Sequence, residues 1–320
     1  MTEPISLVAD IGGTNARFAL RRGGAVGVEH MKTLSARDFP DISAAIRAYL
    51  AEVGAQPVEA CFAVACPARH DFIEFTNSPW RFSRGETALA FGWRRFVTIN
   101  DFEALALGVP HAQPTSLQMV RKGIADPAGA RAVLGPGTGL GVSGLVCDGH
   151  GGWIALAGEG GHVGFAPQDA FEVDLLRHLQ ARFGRVSCER LLSGEGLVNI
   201  YEFALLRAGK ESERPTPAVI TARGIEVGDP IAAEALQRFC AILGSCAGDL
   251  ALILGSTGGV YIGGGIVPRL LSLLPRTQFE ERFANKGRLS SLLSDMPIYV
   301  ILDNTLALLG AAATLSQGEA

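Results

Sequence analysis

An asparagine and an aspartate stand at the end of a short apolar segment, in the stretch VTINDFEA that covers residues 97–104. The apolar residues before Asn100 predict a strand, and the residues from Phe102 onward predict a helix. A carboxylate at such a junction often accepts the first backbone N–H groups of the helix, so Asp101 could be a simple cap. The same position would also suit a general base that removes a proton from a substrate hydroxyl. The stretch alone leaves both interpretations open.

A glycine-rich turn near the start of the chain has the composition of a phosphate-binding loop. The stretch DIGGTN places Asp10 at a strand end, followed by Gly12, Gly13, Thr14 and Asn15. Glycine lets consecutive backbone N–H groups approach an anion closely, and such groups form a concave nest for phosphate. Adjacent glycines are also common in ordinary tight hairpins, so this stretch by itself fits either role.

Two further glycine turns occur later in the chain, at residues 137–139 within GPGTGLG and at residues 263–265 within GGVYIGGGI. Read from Gly135 or from Gly137, the first of them does not match G-x-G-x-x-G, because leucine or valine stands where the third glycine would be. No G-x-x-x-x-G-K-[ST] occurs either, so neither a Rossmann nor a P-loop site is indicated. Together, the three turns predict a nucleotide whose phosphates meet two hairpins and whose purine lies close to the third turn.

Polar residues suited to a sugar lie in three other stretches. Glu159 and His162 occur among glycines in GEGGHVGF, which will not hold a stable helix, so they are not a helical metal-ligand pair. Each hydroxyl of a bound sugar needs a partner once it is desolvated, and a carboxylate beside an imidazole supplies such partners. Glu189 in CERLLSGEGL and Asn77 in TNSPW are further candidates. All four could instead be ordinary loop or turn residues.

These candidates belong to a chain with an α/β pattern. The segments ISLVADI, ARFAL and AVGVEHM predict three strands, and the helix DISAAIRAYLAEVG and the strand EACFAVA follow. This order differs from the alternating βαβ pattern of a dinucleotide fold. A second glycine hairpin, AVLGPGTGLGVSGLV, resembles the first. The length of 320 residues predicts two domains, residues 1–110 completed by a C-terminal helix at 303–320, and residues 111–302.

Composition argues against several classes of function. The net charge of −4 and the lack of a basic run do not favour nucleic acid as a partner. The six cysteines form no C-x-x-C motif, so neither a zinc site nor a disulfide framework is indicated. No apolar segment approaches the roughly 18 residues needed to span a bilayer, and the first residues lack the basic start of a signal peptide. We therefore expect a cytoplasmic protein that acts on small molecules.

Seven stretches, taken together and in this order, resemble the bacterial glucokinase family: DIGGTNARFAL, TNSPW, INDFEALALG, GPGTGLGVSGL, GEGGHVGF, CERLLSGEGLVNIY and GGVYIGGGI. The resemblance implies a two-domain actin-like (ribonuclease-H-like) ATPase fold of the α/β class, whose interdomain cleft closes on sugar and ATP, and commonly a homodimer. The related repressor/kinase sugar family has a cysteine-rich zinc loop before its sugar-binding glutamate. Only Cys188 precedes Glu189 here, so the zinc-free group fits better.

The resemblance also implies a role for each candidate residue. Asp101 would be the base that takes the proton from the 6-hydroxyl of glucose, and Asp10 would lie beside Mg²⁺. The other sugar hydroxyls would be held by Asn77, Asn100, Glu159, His162 and Glu189. The nucleotide ATP would lie against two hairpins and a turn, formed by Ala9, Asp10, Ile11, Gly12, Gly13, Thr14 and Asn15, by Gly137, Thr138 and Gly139, and by Gly263, Gly264 and Gly265.

The sequence thus predicts ATP-dependent phosphorylation of glucose, with alternatives. A kinase for another hexose or an amino sugar would share every catalytic residue. A sugar-responsive regulator is less favoured, because we expect no helix-turn-helix before the first strand and because Asp101 is intact. A filament-forming relative of actin would not need the polar residues of a sugar site. Polyphosphate or ADP could replace ATP as the donor, since backbone N–H groups would hold either.

Overall fold

The structure is a computed structural model that describes residues 3–24, 26–75 and 80–317. Asn77 lies outside the described residues. The strands, in chain order, are β1 (Ile5–Ile11), β2 (Asn15–Arg22), β3 (Glu29–Ser35), β4 (Glu59–Val64), β5 (Phe72–Glu74), β6 (Arg81–Ser83), β7 (Arg95–Asn100), β8 (Leu117–Arg121), β9 (Arg131–Pro136), β10 (Leu140–Cys147), β11 (Trp153–Leu156), β12 (Val260–Ile262) and β13 (Ile298–Ile301). The α-helices are α1 (Ile42–Val53), α2 (Arg84–Phe91), α3 (Asp101–Gly108), α4 (Ala170–Phe183), α5 (Gly194–Arg207), α6 (Pro217–Ala222), α7 (Pro230–Leu254), α8 (Phe279–Ala284), α9 (Ser290–Leu293) and α10 (Leu306–Ser316).

The chain divides into two compact units. The first consists of Met1–Pro114, Gly152–Ala157 and Asp303–Ala320, and the second of Thr115–Gly151 and Gly158–Leu302. The division predicted from the sequence placed residues 111–114 and 152–157 in the other part. As a statement about domains it stays a prediction.

The sheet of the first unit has the strand order β3-β2-β1-β4-β7. Strands β1, β4 and β7 run parallel, and the register places Ile11 beside Val64 and Val64 beside Asn100. The carboxyl ends of these three strands therefore lie at one edge of the sheet. Since neighbouring strands are about 4.8 Å apart, Ile11 and Asn100 are separated by two spacings, or roughly 10 Å. Asp10 and Asp101, each next to one of them, share this edge.

Strands β1 and β4 are buried on both faces. Leu7, Val8 and Ala9 in β1 and Phe62 and Ala63 in β4 have no exposed surface. Parallel strands covered on both sides have nearly continuous apolar sequences, which explains why ISLVADI and EACFAVA were predicted as strands. These strands form a rigid base for the residues at their carboxyl ends.

Helices α3 and α10 approach each other closely, because glycines lie where the two helices touch. A Cβ atom on Gly310 would lie 1.7 Å from the carbonyl oxygen of Ala104, and one on Gly108 would lie 2.0 Å from that of Leu306. Real Cβ atoms do not approach that closely, so the contact requires glycine. The C-terminal helix thus supports the helix that begins at Asp101.

The second unit has its own sheet, in which its strands follow the order β10-β9-β12-β13-β8. Strands β9, β12 and β13 run parallel, with Leu134 beside Ile262. Strand β10 is antiparallel to β9, and Pro136 pairs with Leu140. The turns at residues 137–139 and 263–265 therefore follow two neighbouring parallel strands at the same edge of this sheet.

Helix α7 corrects one expectation from the sequence. It spans 25 residues and is long and apolar enough to cross a membrane, although we expected no such segment. Within its 18-residue window, 61% is buried in the protein, and Phe239 and Leu243 have no exposed surface. The helix packs against α5 and α8, as the core helix of a globular unit does. Its few charged residues, such as Arg238, interrupt the apolar run in the sequence. The length of the apolar helix was therefore not recognised from the sequence.

The third predicted strand is displaced along the chain. The segment AVGVEHM was predicted, whereas β3 runs from Glu29 to Ser35. A turn follows β2, with Gly23 at φ +57°, and the chain pairs with β2 only after it. All seven residues of β3 are at least partly exposed, so its apolar content does not define its ends.

Candidate active site

The first glycine turn joins β1 to β2 through Gly12, Gly13 and Thr14. The N–H group of Gly12 donates to the carbonyl oxygen of Asn15 at 2.9 Å, and the carbonyl of Thr14 accepts a hydrogen bond from Ala36 at 2.8 Å. A Cβ atom on Gly12 would meet only the Asn15 oxygen, at an ordinary 3.5 Å. The fold itself does not demand glycine at this position, whereas a closely bound anion would.

The flanking residues of this turn differ in what they can offer a ligand. Ala9 and Ile11 have no exposed surface, so only their backbone groups could bind a ligand. Thr14 and Asn15 are exposed and carry hydrogen-bonding side chains.

Asp10 lies opposite Arg17 in the β1–β2 pair, and Arg17 Nη1 donates to Asp10 Oδ2 at 2.7 Å. The side chain of Asp10 is 15% exposed. Burial raises the pKa of Asp10, and the charge and hydrogen bond of Arg17 partly oppose that rise. The carboxylate is therefore held in a fixed direction at the edge of the sheet.

A magnesium ion fits a site with a single carboxylate, because Mg²⁺ usually takes one or two carboxylates and completes its shell with water and substrate phosphate oxygens. Asp10 beside a phosphate-type turn provides that donor set. In the described part of the chain, no three His, Cys, Asp or Glu side chains cluster as a ready-made metal cage.

Asn100, and not Asp101, caps helix α3. The Asn100 Oδ1 atom accepts the N–H groups of Phe102 at 2.9 Å and Glu103 at 3.4 Å, and Glu103 Oε2 accepts the N–H group of Asn100 at 3.4 Å. This reciprocal pair is a capping box. The interpretation of Asp101 as a simple cap is supported only in part, because the helix begins one residue earlier than predicted and Asn100 is its N-cap.

Asp101 is the first residue of α3 and is half-buried. Its Oδ1 atom accepts the N–H group of Phe102 at 3.0 Å. The positive end of the helix dipole stabilises a negative charge in this position. Because the capping box already fixes the backbone, the helix start does not depend on Asp101 as its cap.

In the second unit, the structure brings two of the predicted sugar residues together. His162 ends a 3₁₀ segment, Gly160–His162, and Glu189 lies in another, Cys188–Arg190. The His162 Nε2 and Glu189 Oε1 atoms are 3.9 Å apart. Glu159 precedes the first segment and is exposed.

Hydrogen bonds to main-chain carbonyl groups hold these two segments side by side. The N–H group of Cys188 donates to the carbonyl oxygen of Val163 at 2.9 Å. The guanidinium of Arg185 donates to the carbonyl of His162 at 2.7 Å. Arg185 was not predicted from the sequence, because nothing in its surroundings indicated that it would tie the two segments together.

The second glycine turn is tied to Glu189. The N–H group of Leu140, just after the turn, donates to Glu189 Oε2 at 2.9 Å. Within the turn, Gly137 donates to the carbonyl of Gly139 at 2.8 Å, and Gly194 at the start of α5 donates to the carbonyl of Gly137 at 2.9 Å. A Cβ atom on Gly137 would meet no protein atom within 4 Å, so there too the fold does not demand glycine.

The third turn packs against the end of β9. Gly263 donates its N–H group to the carbonyl of Leu134 at 2.8 Å. Gly264 has φ +81°, and a Cβ atom there would lie 2.3 Å from the carbonyl oxygen of Pro136. This turn requires glycine for its own conformation, whereas Gly265 is exposed with open space around it.

The structure therefore places the candidates in two groups. Asp10, the first turn, Asn100 and Asp101 share one sheet edge in the first unit. Glu159, His162, Glu189 and the other two turns belong to the second unit. Arg17 was missed as a partner of Asp10, which it faces because four residues separate the paired Ile11 and Ala16.

The similarity of this chain to known proteins extends over its whole length. A family model described as "Glucokinase" matches residues 7–318. The glucokinase of Chromohalobacter salexigens is 48% identical over 100% of this chain and 99% of its own length. That of Marinobacter nauticus is 47% identical over 99% of each chain.

Solved structures of glucokinases have folds similar to that of this chain. The crystal structure of a glucokinase from an Antarctic psychrotroph has a TM-score of 0.89 and 36% identity, covering 98% of this chain and 99% of that one. A ROK family glucokinase from Streptomyces griseus, solved with glucose and AMPPNP, has a TM-score of 0.66 at 18% identity, covering 98% of this chain and 99% of that one, and shows the fold alone. The predicted actin-like ATPase fold of the α/β class is confirmed.

Proposed function

Since the chain belongs to the glucokinase family and is an ATP-dependent hexose kinase, we propose that Asp101 is its general base. The reaction transfers the γ-phosphoryl group of ATP to the 6-hydroxyl of glucose and gives glucose 6-phosphate and ADP. In this proposal Asp101 accepts the proton of the 6-hydroxyl, whose oxygen attacks the phosphorus atom.

The observation that carries the proposal is the common sheet edge in the first unit. The register of β1, β4 and β7 brings the first glycine turn, Asp10 and Asp101 to the carboxyl ends of parallel strands. In open parallel sheets, ligands bind at the carboxyl ends of the strands. An anion-binding turn and two carboxylates at that edge are what phosphoryl transfer to a hydroxyl requires.

Asp101 acts mainly by orienting the nucleophile. The transition state of phosphoryl transfer is loose, so the protein contributes position and charge compensation more than covalent chemistry. The end of β7 and the capping box of α3 hold the Asp101 backbone, and its carboxylate can direct the 6-hydroxyl. General-base assistance of this kind contributes about 10²- to 10⁴-fold in rate.

The phosphates of ATP would be held by backbone N–H groups of the first two turns. Support comes from Gly12 and Gly137, where the fold leaves room for a Cβ atom and yet the residue is glycine. Asp10 would hold Mg²⁺, which offsets the negative charge of the phosphate oxygens when it is bound. Gly263, Gly264 and Gly265 would border the adenosine.

The remaining sugar hydroxyls would be bound by Asn100, Glu159, His162 and Glu189. The proximity of His162 and Glu189 supports this assignment, because an imidazole and a carboxylate together can serve adjacent hydroxyls as donor and acceptor. Asn77 stays a prediction for the same role. The homodimer, the cytoplasmic location and a place in glycolysis also stay predictions.

The direct test is to incubate the purified protein with ATP, Mg²⁺ and glucose and to identify the product by NMR. We expect phosphate at the 6-position, and no reaction with 6-deoxyglucose, which lacks the attacking hydroxyl. Parallel assays with mannose, fructose and glucosamine should give a lower kcat/KM than glucose. A higher kcat/KM for another sugar would contradict the assignment of glucose. ADP and polyphosphate should replace ATP poorly, and equal rates would contradict ATP as donor.

A further inference from the structure

Glu189 contacts the second glycine turn directly, in addition to facing His162. Its two carboxylate oxygens have different surroundings. Oε2 accepts the N–H group of Leu140, the residue that follows the turn, at 2.9 Å. Oε1 lies 3.9 Å from His162 Nε2. One side chain therefore connects the segment assigned to phosphate with the segment assigned to sugar.

A residue larger than glycine on either side of this contact would force a neighbouring group to shift. A Cβ atom on Gly139 would lie 2.4 Å from Glu189 Oε2. On the other side of Leu140, a Cβ atom on Gly161 would lie 2.0 Å from the Leu140 carbonyl oxygen. Both peptide groups of Leu140 are thus enclosed, one by the glutamate and the other by the loop that carries His162.

Gly139 and Gly137 differ in a way that the phosphate role does not explain. Both belong to the same three-residue turn, but Gly137 has open space around it, whereas Gly139 packs against Glu189. Neither has a positive φ that would require glycine. The reason for glycine at 139 is therefore the close approach of the Glu189 carboxylate.

We propose that Glu189 positions the second phosphate turn through the N–H group of Leu140 while it binds sugar, and that Gly139 is glycine so that this shared contact can form. The inference rests on the proposed function, because it takes the turn as the nucleotide site and Glu189 as a sugar ligand. The hydrogen bond between the Leu140 N–H group and Glu189 positions both of the groups that it joins. It fixes the turn for phosphate, and it fixes the carboxylate so that Oε1 and the remaining lone pairs point to sugar hydroxyls.

The first experiment measures nucleotide binding in the absence of sugar. Isothermal titration of the full-length protein with Mg²⁺ and AMPPNP should give a Kd for Glu189→Ala that is on the order of tenfold weaker than wild type, because a hydrogen bond to a charged acceptor is lost. Glu189→Gln keeps an oxygen that can accept from Leu140 and should restore nucleotide affinity to within about twofold. Glu159→Gln, on the sugar side without a contact to the turn, should match wild type.

The second experiment measures sugar binding in the absence of nucleotide. Gly139→Ala should weaken the Kd for glucose about tenfold, since the added methyl group displaces the carboxylate. Gly137→Ala is the matched control, and it should leave the glucose Kd unchanged. Melting temperatures of the variants show whether each one is folded.

The outcomes separate this inference from the proposed function. If wild type binds both ligands and Glu189→Ala has the wild-type affinity for AMPPNP, Glu189 serves sugar alone and the inference is wrong. Equal glucose affinities of Gly139→Ala and Gly137→Ala would also overturn it. If wild type binds neither AMPPNP nor glucose, the proposed function fails and the inference fails with it.

Discussion

The two glycine hairpins, β1–β2 and β9–β10, both place a short glycine-rich turn between antiparallel strands, but their registers and their side chains differ. Each joins antiparallel strands through a three-residue loop, Gly-Gly-Thr in the first and Gly-Thr-Gly in the second. Two positions before the loop, the first has Asp10 bonded to Arg17, and the second has Gly135 packed against Gly263. The glycine turn that we assign to phosphate thus follows an acid in one unit and closely packed glycine in the other.

This difference shows where each kind of chemistry can be placed. The first hairpin has room for a carboxylate and its cation, so we assign the metal to it. The second has no side chain at the equivalent position, because the turn at residues 263–265 occupies that space. Its chemical partner is Glu189, which comes from a distant part of the sequence.

Among the tests of this difference between the hairpins, the largest effect is expected for Asp10→Asn. If only the first hairpin provides an acid for Mg²⁺, its loss should lower kcat/KM for ATP roughly 10²- to 10³-fold, as removal of one charge-stabilising group does. Steady-state kinetics over a range of Mg²⁺ concentrations tests this, and excess Mg²⁺ should restore part of the activity. If Asp10→Asn had the same kcat/KM for ATP as wild type at low Mg²⁺, the carboxylate would not be needed to hold the metal. The two hairpins would then act through their backbone N–H groups alone.

A smaller effect, on stability, is expected for Gly135→Ala. The new Cβ atom would lie 2.5 Å from the carbonyl carbon of Gly263, so the two segments must separate. Overpacking of this kind lowers the free energy of unfolding by about 1–3 kcal/mol. Urea unfolding measures the change. A variant as stable as wild type would show that the second hairpin tolerates a side chain at this position.

A loss of nucleotide affinity without a loss of stability is expected for Gly137→Ala. No protein atom lies within 4 Å of the added methyl group, so stability should change by less than about 0.5 kcal/mol. The methyl group would keep phosphate from the backbone and raise KM for ATP roughly tenfold. If KM for ATP were unchanged, we would conclude that the second hairpin does not bind the phosphates.

The smallest effect is a shift in the pH profile of Arg17→Gln. Burial raises the pKa of Asp10, and Arg17 opposes the rise, so its removal should raise the pKa of Asp10 further. The ionised carboxylate is the form that would hold Mg²⁺. The acidic limb of kcat/KM should therefore move to higher pH in the variant. If the acidic limb moved to lower pH or did not move, activity would not depend on the ionisation of Asp10.

Much of the local structure could be predicted from the sequence. The helix DISAAIRAYLAEVG is α1, with Asp41 accepting the N–H group of Ala44 as its cap and Gly54 ending it at φ +64°. Buried strands such as β1 and β4 were evident from their apolar runs. Capping residues, glycine turns and buried strands are local properties, so the sequence indicates them directly.

The contacts that assemble the candidate site could not be predicted in this way. The bond from Leu140 to Glu189 joins residues 49 positions apart, and no local pattern indicates it. The parallel register that brings Asp10 and Asp101 to one edge is also set by tertiary packing. Even the start of helix α3 was predicted one residue too late, at Phe102 and not at Asp101, because helix ends are poorly defined by sequence.

The central claim, that Asp101 is the base, is tested most directly by Asp101→Asn. Asn is similar in size, so glucose affinity should stay within a few-fold of wild type while kcat falls about 10²- to 10⁴-fold. Glu103→Gln, in the same helix turn, is the control and should retain the kcat of wild type. If Asp101→Asn binds glucose and turns over at the wild-type rate, Asp101 is not the base.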